Sequence, residues 1–123
     1  MFYDFRQNNT FGRWVINKDV NVLVVIEASS VKQANERAES VGLYFDGISD
    51  GIDCSCCGDR WSKEWDGYEG DTVPSQYGKP IENLHPERVK GKDSIVVHFE
   101  DGSRQYASDG TDRKWLEADE EGA

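Results

Sequence analysis

Apolar residues fall in four short runs, at residues 2–5, 14–16, 22–26 and 95–99, separated by long polar stretches. In the first run aromatic and polar positions alternate. Phe2, Asp4 and Arg6 oppose Tyr3 and Phe5, a period of two that predicts a strand ending at Gln7-Asn8-Asn9. Residues 13–16 predict a second short strand, closed by Asn17-Lys18-Asp19. Residues 20–27 carry the strongest strand pattern. Val20, Val22, Val24 and Ile26 share one face and Leu23 and Val25 the other, so this strand is expected to be central and covered on both sides.

The period then changes to that of a helix over residues 31–41. Ser30 stands at the N-cap with Gln33 three residues on, the pattern of a capping box. Val31, Ala34, Ala38 and Val41 form one stripe, with Lys32, Asn35, Glu36 and Glu39 facing outward. Gly42 supplies a left-handed C′ position. The small side chains of the stripe predict close packing on a sheet. Leu43-Tyr44-Phe45 reads as a returning strand, and 46–58 (DGISDGIDCSCCG) as a tight loop. Residues 59–80 form an aromatic-rich irregular stretch, and 81–93 a polar connection in which Pro86 opposes a long helix. Residues 94–106 predict a β-hairpin across a two-residue Asp101-Gly102 turn, pairing His98 with Gln105 and Val97 with Tyr106. That register places Ile95, Val97, Phe99 and Tyr106 on the core face, and Val96, His98, Glu100 and Gln105 on the other. The fold expected is α+β: a mainly antiparallel sheet of four to five strands, with one helix packed on one face and the 46–70 loop covering an edge or end. The domain spans residues 1–106. Residues 107–123 hold six acids and two bases and are expected to form a flexible acidic tail.

Composition narrows the classes of function. The 123-residue chain carries 24 acidic and 14 basic residues, a net charge of −10. A field of that sign repels phosphate backbones and anionic membranes, which argues against direct binding of duplex nucleic acid. No run approaches the ~20 apolar residues of a membrane span. The opening Met-Phe-Tyr-Asp-Phe-Arg lacks the basic and apolar regions of a signal peptide. A cytosolic protein with reduced thiols is expected, and three cysteines suit no disulfide framework.

Those cysteines, Cys54, Cys56 and Cys57, lie within four residues. Neighbouring cysteines fit disulfide geometry poorly. Three thiolates suggest zinc, with histidine as fourth ligand: His98, which the hairpin register turns away from the core, or His85. The alternatives are thiols packed in a tight loop, or a reactive thiol assisted by Arg60 and opposed by Asp53 and Asp59. The aspartates of 46–59 do not match a calcium-binding EF-hand loop. No P-loop, G-x-G-x-x-G, H-E-x-x-H or G-x-S-x-G is present, and no convincing general base is named, so a non-enzymatic protein is expected. Trp61, Trp65, Tyr68 and Tyr77, interleaved with Arg60 and Lys63, are either a binding surface or a cap over a small core.

A resemblance joins these segments. Residues 2–9 (FYDFRQNN), Val25-Ile26-Glu27-Ala28 with 34–39 (ANERAE), and above all Tyr44-Phe45-Asp46-Gly47 followed by 53–61 (DCSCCGDRW) resemble a family of small tailed-bacteriophage proteins with no assigned activity. The resemblance covers residues 1–80 and, more loosely, the hairpin, with the acidic tail as an addition to the pattern. It implies a phage product acting in the cytoplasm of an infected bacterium and carries no functional residue across. Three readings follow. The first is an accessory protein that binds a host protein, as in host takeover or inhibition of a defence system. The second is a sponge for a small nucleotide immune signal, which in so short a chain predicts a homo-oligomer with pockets between subunits. The third is a zinc-stabilised structural module.

Overall fold

The computed structural model of the protein describes residues 1–10, 14–86 and 93–109. Six strands and one helix follow in the order β1 (Phe2–Arg6), β2 (Leu23–Glu27), α1 (Val31–Ser40), β3 (Ser75–Gln76), β4 (Lys79–Pro80), β5 (Ile95–His98) and β6 (Arg104–Ala107). Four of them form the main sheet, in the order β1-β2-β5-β6. β1 pairs antiparallel with β2, and β5 with β6, but β2 and β5 run parallel, with Leu23 opposite Ile95 and Ile26 opposite His98. The architecture is therefore α+β with a mixed four-stranded sheet: two of its three pairings are antiparallel, as expected, and the central one is parallel. The parallel step arises because the chain leaves β2 through α1 and returns to the same end of the sheet, the route that a parallel crossover requires. β3 and β4 make a separate two-stranded hairpin.

Period-two alternation divides the core into two layers. On the helix side Tyr3, Phe5, Val24, Ile26, Val96 and Tyr106 meet Ala34 and Ala38 of α1, together with Leu43, Phe45 and Trp61. On the opposite side Phe2, Leu23, Val25, Ile95, Val97 and Ala107 pack beneath Ile81, Leu84 and Phe99. The central strand is thus covered on both faces, as its continuous apolar run predicts.

Helix α1 begins where the capping signal places it: the Gln33 amide donates to Ser30 Oγ at 3.1 Å. The reciprocal bond closes one residue earlier than in a standard box, since Gln33 Oε1 accepts from the Ser29 amide at 2.7 Å. At the C-terminus the Leu43 amide reaches Ala38 O and the Gly42 amide reaches Glu39 O. This is a Schellman closure, with Gly42 at φ +120°.

Three local expectations are corrected. First, residues 43–45 pair with no strand. Leu43 and Phe45 are buried under the sheet, so their apolar pattern marks burial without pairing. Second, of the expected 13–16 strand, Arg13 lies outside the described residues and 14–16 form no strand. Val15 instead has a side chain for a partner: its amide donates to Gln7 Oε1 at 2.7 Å and its carbonyl accepts from Gln7 Nε2 at 3.1 Å. Third, the β5–β6 hairpin is shifted by one residue. Val96 faces Tyr106, Val97 faces Gln105 and His98 faces Arg104. The loop holds three residues, because the Gly102 amide bonds Phe99 O and the Phe99 amide bonds Ser103 O. Gly102 adopts φ +92°, the left-handed position of a type I turn with a bulge. A one-residue shift exchanges faces, so Tyr106 joins Val96 on the helix side, away from Ile95 and Val97. β6 also extends through Ala107, which is buried and was expected in the tail. Residues 110–123, the rest of that segment, lie outside the described residues. Among the described residues no helix is long and apolar enough to cross a membrane.

Replacing Gly42 with alanine places a Cβ 3.3 Å from Val20 Cγ2 on backbone that L-residues resist. The expected outcome is a loss of about 1–2 kcal/mol in urea unfolding, with the fold retained.

Candidate functional site

The strand β1 presents Asp4 and Arg6 on one surface, and three later segments gather around them. Asp71 is held at the edge of β1 by two backbone bonds to Phe2, each 2.8 Å. Glu64 is fixed from the helix: Asn35 Oδ1 accepts the Glu64 amide at 3.0 Å, and Asn35 Nδ2 donates to the Glu64 carbonyl at 3.2 Å. The β3–β4 hairpin delivers Tyr77 at its tip. Together Asp4, Arg6, Glu64, Trp65, Tyr68, Asp71, Tyr77 and Gly78 line an open cleft of about 460 Å³.

The aromatics form a graded series from core to solvent. Tyr68 stands edge-on to buried Tyr3 at 5.7 Å and donates its hydroxyl to Asp71 Oδ2 at 2.8 Å. Trp65 stacks on the outer side of Tyr68 at 6.5 Å and is 67% exposed. Tyr77 is 66% exposed, and Arg6 lies over its ring at 5.2 Å. Tyr77 also holds φ +54°, followed by Gly78 at +81°, so the hairpin turns through two left-handed residues. Asparagine, aspartate or glycine ordinarily occupies such a turn.

Three carboxyl groups against one guanidinium make the cleft acidic. Glu64 is pushed up to about 7, first by burial and then by the charges of Asp4 and Asp71. Burial likewise raises Asp4, with Asp71 adding to the shift. Tyr68 is raised by burial and by its bond to Asp71. A cation entering here would relieve this repulsion. Of the cleft residues, Trp65, Tyr68 and Tyr77 were expected as binding residues. Asp4, Glu64 and Asp71 were not, because in so acidic a chain individual carboxylates carry no sequence signal, and neither was Arg6, which reads only as a polar position of β1.

Arg60 and Trp61, expected on the same surface, are elsewhere. Trp61 is 1% exposed and belongs to the helix-side core. Arg60 is buried at the centre of a polar hub. Its Nη1 donates to Gln7 Oε1 at 2.7 Å, its Nη2 to Thr10 O at 3.2 Å, and its Nε to the Tyr44 hydroxyl at 3.0 Å. Asp53 closes the ring, accepting from Tyr44 at 2.8 Å and from the Arg60 amide at 2.7 Å. The guanidinium is committed to structure and presents nothing to a ligand.

The hub fixes the cysteine loop beside the end of β1. Asn8 Nδ2 donates to Cys57 O at 2.7 Å, and the Cys54 amide donates to Thr10 Oγ1 at 3.3 Å. The amides of Cys57 and Gly58 both bond Cys54 O at 3.1 Å, folding the segment into one turn. That turn brings the three Sγ atoms within 4.8 Å of one another. Cys54 and Cys56 are 2.6 Å apart and Cys56 and Cys57 3.6 Å. Hydrogen bonding from Cys56 lowers the Cys54 pKa, and the same bonds push Cys56 up to about 11. Three close thiols of this kind can hold a metal ion. His98 does not join them. Its ring is buried, with Nε2 2.7 Å from Asp19 O, and burial lowers its pKa. His98 shares its face of β5 with Val96, and that face is the one the helix-side core covers, so the imidazole is enclosed and holds the 18–19 turn.

The chain belongs to the family Domain of unknown function (DUF7296), whose match spans residues 1–117. The match therefore runs into the acidic segment that was expected to lie outside the family pattern. No curated protein and no solved structure matches the chain.

Arg60→Met would remove a charged donor from Thr10 O, from the Tyr44 hydroxyl and from Gln7 Oε1, which keeps only the Val15 amide, and urea unfolding should register a loss of about 3 kcal/mol or more. Glu64 sets a pH dependence of opposite sign to that of a salt-bridged acid. Its folded pKa of about 7 lies above its ordinary 4.5, so its share of stability is full below 4.5 and is lost as pH rises through 7. Thermal melts from pH 4 to 8 should show this leg in the native protein and a flatter one in Glu64→Gln.

Proposed function

We propose that this DUF7296 protein is a non-enzymatic binding protein whose acidic aromatic cleft takes a lysine or arginine side chain of a partner protein. The observation that carries the reading is Tyr77, a large aromatic held exposed in a left-handed turn position where a small polar residue is less strained. Strain of this kind is kept where the side chain is used. Exposed Trp65 offers a π face to a cation beside Tyr77, whose ring already carries Arg6, and Asp4, Glu64 and Asp71 supply charge. The same carboxylates oppose the phosphates of a nucleotide, so the immune-signal sponge is the weaker alternative.

The resemblance of residues 1–80 to tailed-phage proteins supports an accessory role in the cytoplasm of an infected bacterium, with a host protein as partner. Blocking a host function or a defence system needs only such a complex. The cysteine loop supports a further element of this reading, a zinc ion held by Cys54, Cys56 and Cys57.

The test is a titration of labelled lysine- and arginine-rich peptides, with glutamate-substituted peptides as controls. Basic peptides should bind with an affinity that falls as salt rises, and more tightly at pH 8 than at pH 6, because Glu64 ionises over that range. Trp65→Ala and Tyr77→Asn should each weaken binding roughly tenfold or more, a loss of about 1.4 kcal/mol. Tyr77→Asn should leave stability equal or higher, since asparagine suits the turn. Equal binding of acidic and basic peptides, or unchanged affinity in both variants, would overturn the assignment of the cleft.

A further inference from the structure

The metal chemistry available to the chain can be counted. Its thiols are Cys54, Cys56 and Cys57, and its imidazoles are His85 and His98. The three sulfurs converge, Cys56 and Cys57 exposed and Cys54 half-buried. Neither imidazole joins them: His98 is spent on Asp19 O, and His85 is paired through its backbone with Tyr106 at the far edge of the sheet, its ring beside the Tyr106 ring. Among the described residues no carboxylate completes the group, and the residues outside that description contain no cysteine or histidine, only carboxylates, each of which would add a further negative charge to three thiolates.

Zinc takes four ligands, and structural sites close all four from the protein. Here one turn supplies three, on the solvent side of the loop, while the backbone beneath is pinned by Asn8 and Thr10. Adjacent cysteine side chains would diverge in an extended chain. The paired bonds to Cys54 O curl the segment so that they do not. Resting on the zinc assignment above, we infer that the loop is an open, outward-facing site: three thiolates hold one zinc ion, and its fourth position accepts a donor from outside the chain. Each thiol gives its proton to solvent as it binds. Three thiolates and Zn²⁺ leave a net charge of about −1 on the site, so a neutral imidazole completes it without adding charge. A histidine of the bound partner is the donor that fits, which would make the metal a clasp between two proteins and not an internal staple.

Cobalt(II) substitution of the reduced, full-length protein tests this, with imidazole as the probe. One cobalt per chain should bind, with sulfur-to-cobalt charge-transfer absorption that is lost in Cys56→Ser. Imidazole should then shift the visible d–d bands with a saturable isotherm, and His85→Ala should behave as the native protein does. A one-to-one tetrahedral spectrum that ignores imidazole would overturn the open position while leaving metal binding intact. No cobalt uptake by protein with three titratable thiols would overturn both, and would leave the cleft reading untouched. Circular dichroism of Cys56→Ser should match the native spectrum, since an exposed thiol carries little of the fold.

Discussion

The Arg60 guanidinium is the interaction on which the irregular half of the molecule depends. Its fork reaches Gln7, Thr10 and Tyr44, and its own amide is tied to Asp53. A loop of 15 residues from Asp46 to Arg60, rich in glycine and aspartate, has too little apolar surface to hold itself down. A buried charge would ordinarily be costly there. It is tolerated because each of the three guanidinium nitrogens meets an oxygen. Arginine alone among the side chains offers such a planar, permanently charged fork, so the position is demanding in a way that a surface arginine is not. From this anchor the Cys54–Cys57 turn inherits its placement beside β1, and Trp61, the next residue, enters the core.

A second device recurs: side-chain amides stand in for strands. Gln7 bonds both backbone groups of Val15, and Asn35 bonds both backbone groups of Glu64. Each amide supplies one donor and one acceptor, as a neighbouring strand residue would. Segments that look like strands, or like nothing, are thereby fixed without entering a sheet. The cleft relies on this economy, because the helix locates Glu64 through Asn35 alone among the bonds described.

These devices explain what was legible in the sequence and what was not. Periodicity showed β1, β2, α1 and the β5–β6 hairpin, because burial on alternate residues or on one helical stripe leaves a mark in the order of residues. Sheet order left none. Whether β5 lies beside β2 in parallel or antiparallel depends on where the 28–94 excursion ends, which no local pattern records. Hairpin register hung on a single choice, whether Asp101-Gly102 forms the whole turn or the end of a bulged one. At the candidate site the aromatics Trp65, Tyr68 and Tyr77 were visible as unusual residues in a polar stretch, while Arg60 and Trp61 looked the same in sequence and proved to be interior. The deciding carboxylates Asp4, Glu64 and Asp71 were hidden among 24 acidic residues.

The parallel seam between β2 and β5 joins residues about seventy positions apart in the chain. Closing so long a loop costs entropy that no earlier contact repays, since cost grows with the logarithm of loop length while the reward waits for the last strands. Until residues 95–107 emerge from the ribosome, the Val24–Ile26 stretch of β2 has one edge unpaired and both faces incompletely covered. The nascent chain is therefore a sticky, half-built sheet for most of its synthesis. Pairing between such distant residues slows folding relative to a helical bundle of the same size. The strong negative charge of the chain, which says little about the native fold, is well suited to keeping such intermediates apart.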